Sequence, residues 1–481
     1  MSTATAKHKE VSNEPEQPRY YADPDHKPNG WMRPERGWKH FLSSHNTTVP
    51  GAPSTTRQAE VLNLAVMASP TTSEGILIGQ DALTWSMVAH DPITAYRLGI
   101  VDSPNVAVLG SVGSGKSSLI KTVYLLRPFL LKDRRFVVID KKPGPVAKDS
   151  TGKSVIFGEY YPVAQMAGVA PIRFALDGGG SRINLLDHSL LEAGNAGGTL
   201  AILSATCQLL DEKPLTALER KVLRQALIDV TRAERQGQVP ILQDLVRALD
   251  TFIPAPELRP TLADMYVIAA ANVAATLERL INEFPGLFDG ETSDDVSLDE
   301  KLTVFDINAI PEDGPLISII MNVINVWVLG TIRIGRTNDD VFITYLIVDE
   351  GWYLVDGPMG KVFRSNGKLA RGLGMVIVVG FHHISDIRPD DPGIAFIKEA
   401  GTLHLYRQER RDDADAVEKI AGLQAGSATH LMTLPTGCHY LKRGQKAEIY
   451  VRHLRSELED QITNSDGGLL GKTTRSNQQH K

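Results

Sequence analysis

Cysteine is nearly missing from this chain: Cys207 and Cys438 are the two thiols in 481 residues. So few, so far apart, supply neither a disulfide framework nor a cysteine-based metal site, and both facts suit a reducing cytoplasm. An excess of basic charge is missing as well. Lys and Arg total 51 against 57 Asp and Glu, a net charge of −6. That balance excludes a protein that coats nucleic acid by bulk electrostatics and leaves room for a local basic channel only. Long apolar runs are absent too, since no stretch reaches the ~18 to 20 uninterrupted apolar residues that cross a bilayer. The nearest approach, "PLISIIMNVINVWVLG" at 315–330, is interrupted by Asn322 and Asn325 and is expected to be a buried helix, not an integral membrane segment. The opening "MSTATAKHKEVSNEPEQPR" is polar throughout, so no secretory leader is expected. No repeat with a period of about 20 to 50 residues is found.

What is present is ordinary soluble composition, 42% apolar and 22% charged, in a chain long enough for roughly two to four folding units. Residues 1–57 are rich in Pro, Gly, Ser, Thr, His and charge without periodicity, and are expected to be disordered or loosely attached. Within them, Trp31 and Trp38 of "GWMRPERGW" are aromatic anchors, either for the body of the chain or for a partner. From "TTRQAEVLNLAVMA" the pattern turns helical, with Ala59, Leu62, Ala65 and Val66 on one face, and short strands follow in "GILIGQ" and "SMVAHD".

The chemistry begins at "GSVGSGKSS", residues 110–118, between the apolar run "NVAVL" and the helical "LIKTVYLL". Gly110, Gly115, Lys116 and Ser117 satisfy G-x-x-x-x-G-K-[ST]. The glycines let the backbone N–H groups of Gly110, Ser111, Val112, Gly113, Ser114, Gly115, Lys116, Ser117 and Ser118 curl around phosphates. Lys116 reaches the β and γ phosphates, the Ser117 hydroxyl ligates Mg²⁺, and the following helix presents its positive end. The strand before and the helix after are the context the motif requires.

A second half lies in "YLIVDEGWYLV". A buried strand ends in Asp349, suited to hold Mg²⁺, and Glu350 follows, placed to polarise an attacking water. Next, "GMVIVVGFHHISD" carries His382 and His383 to the end of a neighbouring strand, where one of them senses the γ-phosphate or both simply hydrogen-bond in a loop. No cysteine or carboxylate cluster beside them supports zinc. In "LYRQERRDD", Arg407, Arg410 and Arg411 form either a solvated, salt-bridged surface or a finger for a neighbouring subunit, with Arg371 of "LARGLG" as a second candidate.

Residues 188–285 read as almost wholly helical, with Thr216 and Glu219 as a capping pair, before strands return in "LTVFDI", "YLIVDE", "GMVIVVGF" and "GTLHLYR". The fold class expected is α/β: a RecA-like P-loop NTPase core with a mostly parallel sheet and an inserted all-helical subdomain. Its first half spans 58–187, the insert 188–285 and its second half 286–461, with a flexible tail at 462–481.

The guanine-reading N-K-x-D and T-K-x-D motifs and L-S-G-G-Q are missing, which disfavours small GTPases and ABC-transporter ATPases. About 130 residues after Glu350 leave no room for a second motor lobe, so a trans-acting arginine has to come from another subunit of a ring. The order of phosphate loop, "VVIDKK", "RINLLD", helical insert, "LFDG", "LTVFDI", "LIVDEGWYL", "GLGMVIVVGFHHISDI" and "LRSELEDQITNSD" resembles the TraC-type ATPases of conjugative transfer and type IV secretion, within the HerA/FtsK group. The resemblance covers about residues 70–465 and departs from the family's usual Gln at "HH". It implies an ATP- and Mg²⁺-dependent homo-oligomer, a hexamer, at the cytoplasmic face of a membrane transfer channel, with channel components as partners and DNA or protein as cargo. By the same likeness Lys116 and Ser117 bind nucleotide and Mg²⁺, and Asp349 and Glu350 form the Walker B pair. The alternatives are a HerA/FtsK-like DNA translocase without a secretion channel and a non-catalytic ATP-binding scaffold.

Overall fold

A computed structural model describes residues 74–463 apart from 150, 177, 195, 235–238, 338–341, 356, 383 and 385–391. The expectations for residues 1–57, for Trp31 and Trp38, for the helix carrying Ala59, Leu62, Ala65 and Val66, for His383 and for the tail from 464 onward lie outside the described residues.

Thirteen strands are found among the described residues, eleven of them in one sheet. In chain order they are β1 (Leu77–Asp81), β2 (Met87–Ala89), β3 (Val106–Leu109), β4 (Arg134–Asp140), β5 (Pro143–Lys148), β6 (Ser154–Gly158), β7 (Ile172–Arg173), β8 (Leu302–Asp306), β9 (Ile343–Val348), β10 (Met375–Phe381), β11 (Thr402–Leu405), β12 (Cys438–Arg443) and β13 (Ile449–His453). The sheet order is β2-β1-β13-β12-β11-β3-β10-β9-β4-β8-β7. Strands β11 through β7 in that order run parallel. The remaining four form an antiparallel edge. The sheet is therefore mostly parallel, as its apolar strands required, with an antiparallel margin that the strand rhythm did not reveal.

The central strands are buried on both faces, and their side chains alternate between two cores. Ala107, Leu109, Val137, Ile139, Leu346, Val348, Ile377 and Val379 point to one core. Val106, Val108, Phe136, Val138, Ile347, Val376 and Val378 point to the other, against Leu119, Ile120 and Val123 of the helix after the phosphate loop. On the first face lie the helices His188–Gly194, Ala196–Asp211, Ala217–Glu234, Leu242–Asp250 and Pro260–Glu283, which come between β7 and β8, and the helix Leu316–Thr337. Thr216 and Glu219 start the helix Ala217–Glu234 reciprocally: the Glu219 carboxylate accepts from the Thr216 N–H at 2.8 Å, and Thr216 Oγ1 accepts from the Glu219 N–H at 3.2 Å.

Two helices, Pro260–Glu283 and Leu316–Arg336, are long and apolar enough by length and composition to cross a membrane; the apolar window of the second is 78% buried against the rest of the chain. Asn322 within it donates to the carbonyl oxygens of Ser318 and Leu354, at 3.0 and 3.2 Å, which satisfies its buried amide nitrogen.

The antiparallel edge is tied to the phosphate-loop helix by buried histidines. Tyr124 Oη lies 2.6 Å from His404 Nε2, His404 Nδ1 lies 2.9 Å from His439 Nε2, and Thr122 Oγ1 lies 2.9 Å from His453 Nε2. His90 Nε2 meets Thr402 Oγ1 at 2.8 Å. Burial disfavours the imidazolium at all four, bringing His90 and His453 down to about 3 and His404 and His439 well below the ordinary histidine value.

Candidate functional site

Parallel strands converge their carboxyl ends, and in this sheet the register brings four of them level. Leu109 of β3 pairs with Phe381 of β10, Val379 of β10 with Val348 of β9, and Val348 with Ile139 of β4. The residues just beyond these ends, at 110–118, 382, 349–350 and 142, therefore share one cleft. Its volume is about 650 Å³, and Lys116, Ser117, Lys142, Glu350, His382, Gly437 and Arg455 are among the residues that line it.

The loop wraps as its glycines allow. Gly115, with φ of 109°, caps the helix that begins at Lys116, and an added Cβ there would meet the Gly437 backbone nitrogen at 3.2 Å. The Gly437 N–H donates to the Ser114 carbonyl at 2.9 Å, so the turn before β12 backs the loop. Arg455, just after β13, donates to Ser118 Oγ at 3.2 Å.

Lys116 is buried and turned back on its own loop, donating to the carbonyl oxygens of Gly110 at 2.5 Å and Ser111 at 2.7 Å. Burial lowers its pKa to about 8, against the pull of Asp349. Its third contact is His382 Nδ1, at 3.0 Å. An ammonium can only donate, so Nδ1 accepts and the hydrogen belongs on Nε2, which meets Glu350 Oε1 at 2.9 Å. Trp352 Nε1 donates to the other Glu350 oxygen at 2.9 Å. Burial works to raise the Glu350 pKa, but the hydrogen bond from His382 and the charge of Lys142 hold it below the usual glutamate value.

Lys142 was not singled out in the sequence, yet it sits at the centre. Its Nζ lies 3.2 Å from Ser117 Oγ, 3.2 Å from Asp349 Oδ2 and 2.9 Å from Glu350 Oε1. Burial pulls its pKa down, but Asp349 and then Glu350 outweigh that and hold it above the ordinary lysine value. Asp349 would be raised by burial; Lys142 overcomes this and brings it down to about 2. The available signal was the lysine pair of "IDKK", which follows the parallel strand β4 and of which Lys142 is the second.

Ser117 and Asp349 could hold a magnesium ion. Hydroxyl and carboxylate oxygens are the hard donors that ion takes. Both approach one common cation position through Ser117 Oγ and Asp349 Oδ2, and the other carboxylate oxygen, Oδ1, is buried beside Gly380 with no hydrogen-bond partner.

The candidate arginines 371, 407, 410 and 411 are not gathered here. Arg410 pairs with Asp412 at 2.8 Å and Arg411 with Asp415 at 3.0 Å, all well exposed. Arg407 lies 3.6 Å from Glu409, and its carbonyl accepts from the Ser111 N–H at 2.8 Å, so its backbone but not its guanidinium braces the loop. Arg371 donates to the Asp102 carbonyl at 3.1 Å and lines a different cavity with Asn105 and Gly401, which precede β3 and β11 at the opposite ends of the strands.

No family profile matches the sequence, and no curated protein matches it. Solved structures do. VirB4 of Thermoanaerobacter pseudethanolicus superposes with a TM-score of 0.63 at 20% identity, over 81% of this chain and 99% of that one. Plasmid coupling protein TrwB in complex with ADP and Mg²⁺ gives a TM-score of 0.49 at 14% identity, over 80% and 91%. The genome packaging NTPase B204 of Sulfolobus turreted icosahedral virus 2, in complex with AMPPCP, gives 0.33 at 10% identity, over 73% and 98%. The chain has the α/β, RecA-like P-loop fold of VirB4, the fold that its motif order led one to expect.

Proposed function

We propose that this chain is a magnesium-dependent ATPase that works as a ring motor, a hexamer, energising conjugative DNA transfer or type IV secretion-like export from the cytoplasmic side of a membrane channel. One observation carries the reading. A continuous set of contacts runs from the phosphate-loop lysine through His382 to Glu350, and from Glu350 through Lys142 to Asp349 and Ser117. Phosphate-binding, water-activating and metal-binding groups are thereby connected in one cleft. The fold held in common with VirB4 and the motif order that resembles the TraC-type ATPases support the choice of system.

In this reading Lys116 exchanges the Gly110 and Ser111 carbonyls for phosphate oxygens when nucleotide enters. Ser117 and Asp349 would hold the magnesium ion, which would supply charge neutralisation at the phosphates. Glu350 orients and deprotonates the attacking water, its carboxylate aimed by Trp352 and His382. His382, between Lys116 and Glu350, registers the presence of the terminal phosphate through whichever of its two contacts is released. The surface arginines 407, 410 and 411 are the candidates for action across a subunit boundary, and a ring places one subunit's surface beside the next subunit's cleft.

The test is hydrolysis by the purified full chain. Glu350→Gln should lower the ATP turnover rate by about 10²- to 10⁴-fold while fluorescent ATP analogue binding persists, and Lys116→Ala should lose both. Hydrolysis unchanged in Glu350→Gln refutes the catalytic assignment. A single-subunit mass with ATP and Mg²⁺ in analytical ultracentrifugation refutes the ring.

A further inference from the structure

We infer that Lys142 is a built-in counter-cation that contests the divalent-metal position between Ser117 and Asp349 and must be evicted when the metal arrives. The inference rests on the reading of Ser117 and Asp349 as metal ligands, and adds the group that contests their site. Three contacts carry it: the Nζ reaches Ser117 Oγ, Asp349 Oδ2 and Glu350 Oε1, all within 3.2 Å. An ammonium has three hydrogens and meets three oxygens here, two of them on the proposed metal ligands.

The need for a cation follows from the acids. Asp349 and Glu350 are adjacent, Asp349 is only 4% exposed, and two neighbouring carboxylates withdrawn from water repel each other and cannot both stay ionised without compensation. Nearby lysines are committed elsewhere. Lys116 is turned toward its loop carbonyls and His382, and Lys121 pairs with Glu159 at 3.3 Å. Lys142 supplies the compensation, and its position is fixed by the rigid end of β4 and by Pro143, which opens the β5–β6 hairpin. Its side chain remains a quarter exposed and lines the cleft, so it has open space into which to swing.

A divalent ion cannot join the same oxygens while the ammonium stays, because two cations a few ångströms apart in a partly buried site repel strongly. Free metal must therefore compete with a tethered charge that is always present. Metal arriving with a nucleotide brings phosphate oxygens that can receive the displaced ammonium. The cleft thereby favours the metal–nucleotide complex over metal alone.

The experiment uses Mn²⁺ alone, without nucleotide, titrated into the full chain and followed by the loss of the free-ion electron paramagnetic resonance signal. Lys142→Met, similar in length and uncharged, should bind Mn²⁺ at least about tenfold more tightly than the parent. Its unfolding temperature in chelator should fall below the parent's and recover with Mg²⁺ alone. Lys142→Gln, which keeps a donor toward Asp349, is the second variant for the same titration and should also bind more tightly. Lys142→Arg, which retains the charge, should bind no more tightly than the parent. Unchanged affinity in both neutral variants, with Asp349→Asn still abolishing Mn²⁺ binding, overturns the role of Lys142 and leaves the metal-ligand reading standing. Mn²⁺ binding to Lys142→Met that survives the addition of Asp349→Asn overturns the metal-ligand reading itself.

Discussion

Acidification should destabilise the fold through the buried histidines of its antiparallel side, and the size of the effect follows from their protonation. His90 and His453 are neutral in the folded chain, with pKa values brought from 6.5 to about 3 by burial. The unfolded chain therefore takes up their protons first as pH falls, so stability is greatest above about pH 6.5 and declines below it. Between about pH 7.5 and about pH 5.5 each contributes a loss of about 1.4 kcal/mol, and the two together about 2.8 kcal/mol. His404 and His439 act in the same direction. Asp140 and Asp306 act against it, since burial raises their carboxyls and the folded state there prefers the proton. A difference measurement isolates the histidines. Urea unfolding of the parent and of His90→Gln with His453→Gln, each at the two pH values, should give a pH-dependent loss that is smaller by about 2.8 kcal/mol in the variant. An amide nitrogen can keep each contact to Thr402 and Thr122 without adding a proton-binding site. Identical pH dependence in the two proteins would refute the reasoning.

Substitutions at two other positions test the cleft. In Gly351→Ala the new Cβ would lie 1.8 Å from Val379 Cγ1 and 3.1 Å from the Gly380 carbonyl oxygen. The turn that follows Glu350 must then shift, at a cost of about 1 to 3 kcal/mol in denaturant unfolding; a neutral result would mean that β10 gives way freely. His382→Gln should keep hydrolysis within a few-fold of the parent, because an amide can still accept from Lys116 and donate to Glu350, whereas His382→Ala should lower it at least about tenfold. Full activity in the alanine variant removes His382 from the mechanism.

The loop at 110–118 and the acidic strand end at 349–350 could be read from the chain because each is a local pattern: an apolar strand followed by residues whose chemistry matters at that position. His382 was legible for the same reason, as the first residue past β10. Lys142 lies two residues past β4, but a lysine near a strand end has no distinguishing spacing, and its meaning arises only from Asp349 and Glu350, some 207 residues later. The β5–β6 hairpin was hidden by Pro143, Gly144 and Pro145, which read as loop. The strands β1 and β2 were legible in "GILIGQ" and "SMVAHD", but the antiparallel edge they form was hidden, because pairing partners as distant as Gly79 and His453 leave no trace in local periodicity.

The phosphate loop depends on the far end of the fold. Gly437 holds the Ser114 carbonyl, and Arg455 reaches Ser118 across 337 residues of sequence. During synthesis the loop emerges early, yet its back wall is made only when β12 and β13 leave the ribosome. A nascent chain that already carries both the loop and the acids still lacks a finished pocket, so premature nucleotide capture by half-made protein is discouraged by topology alone.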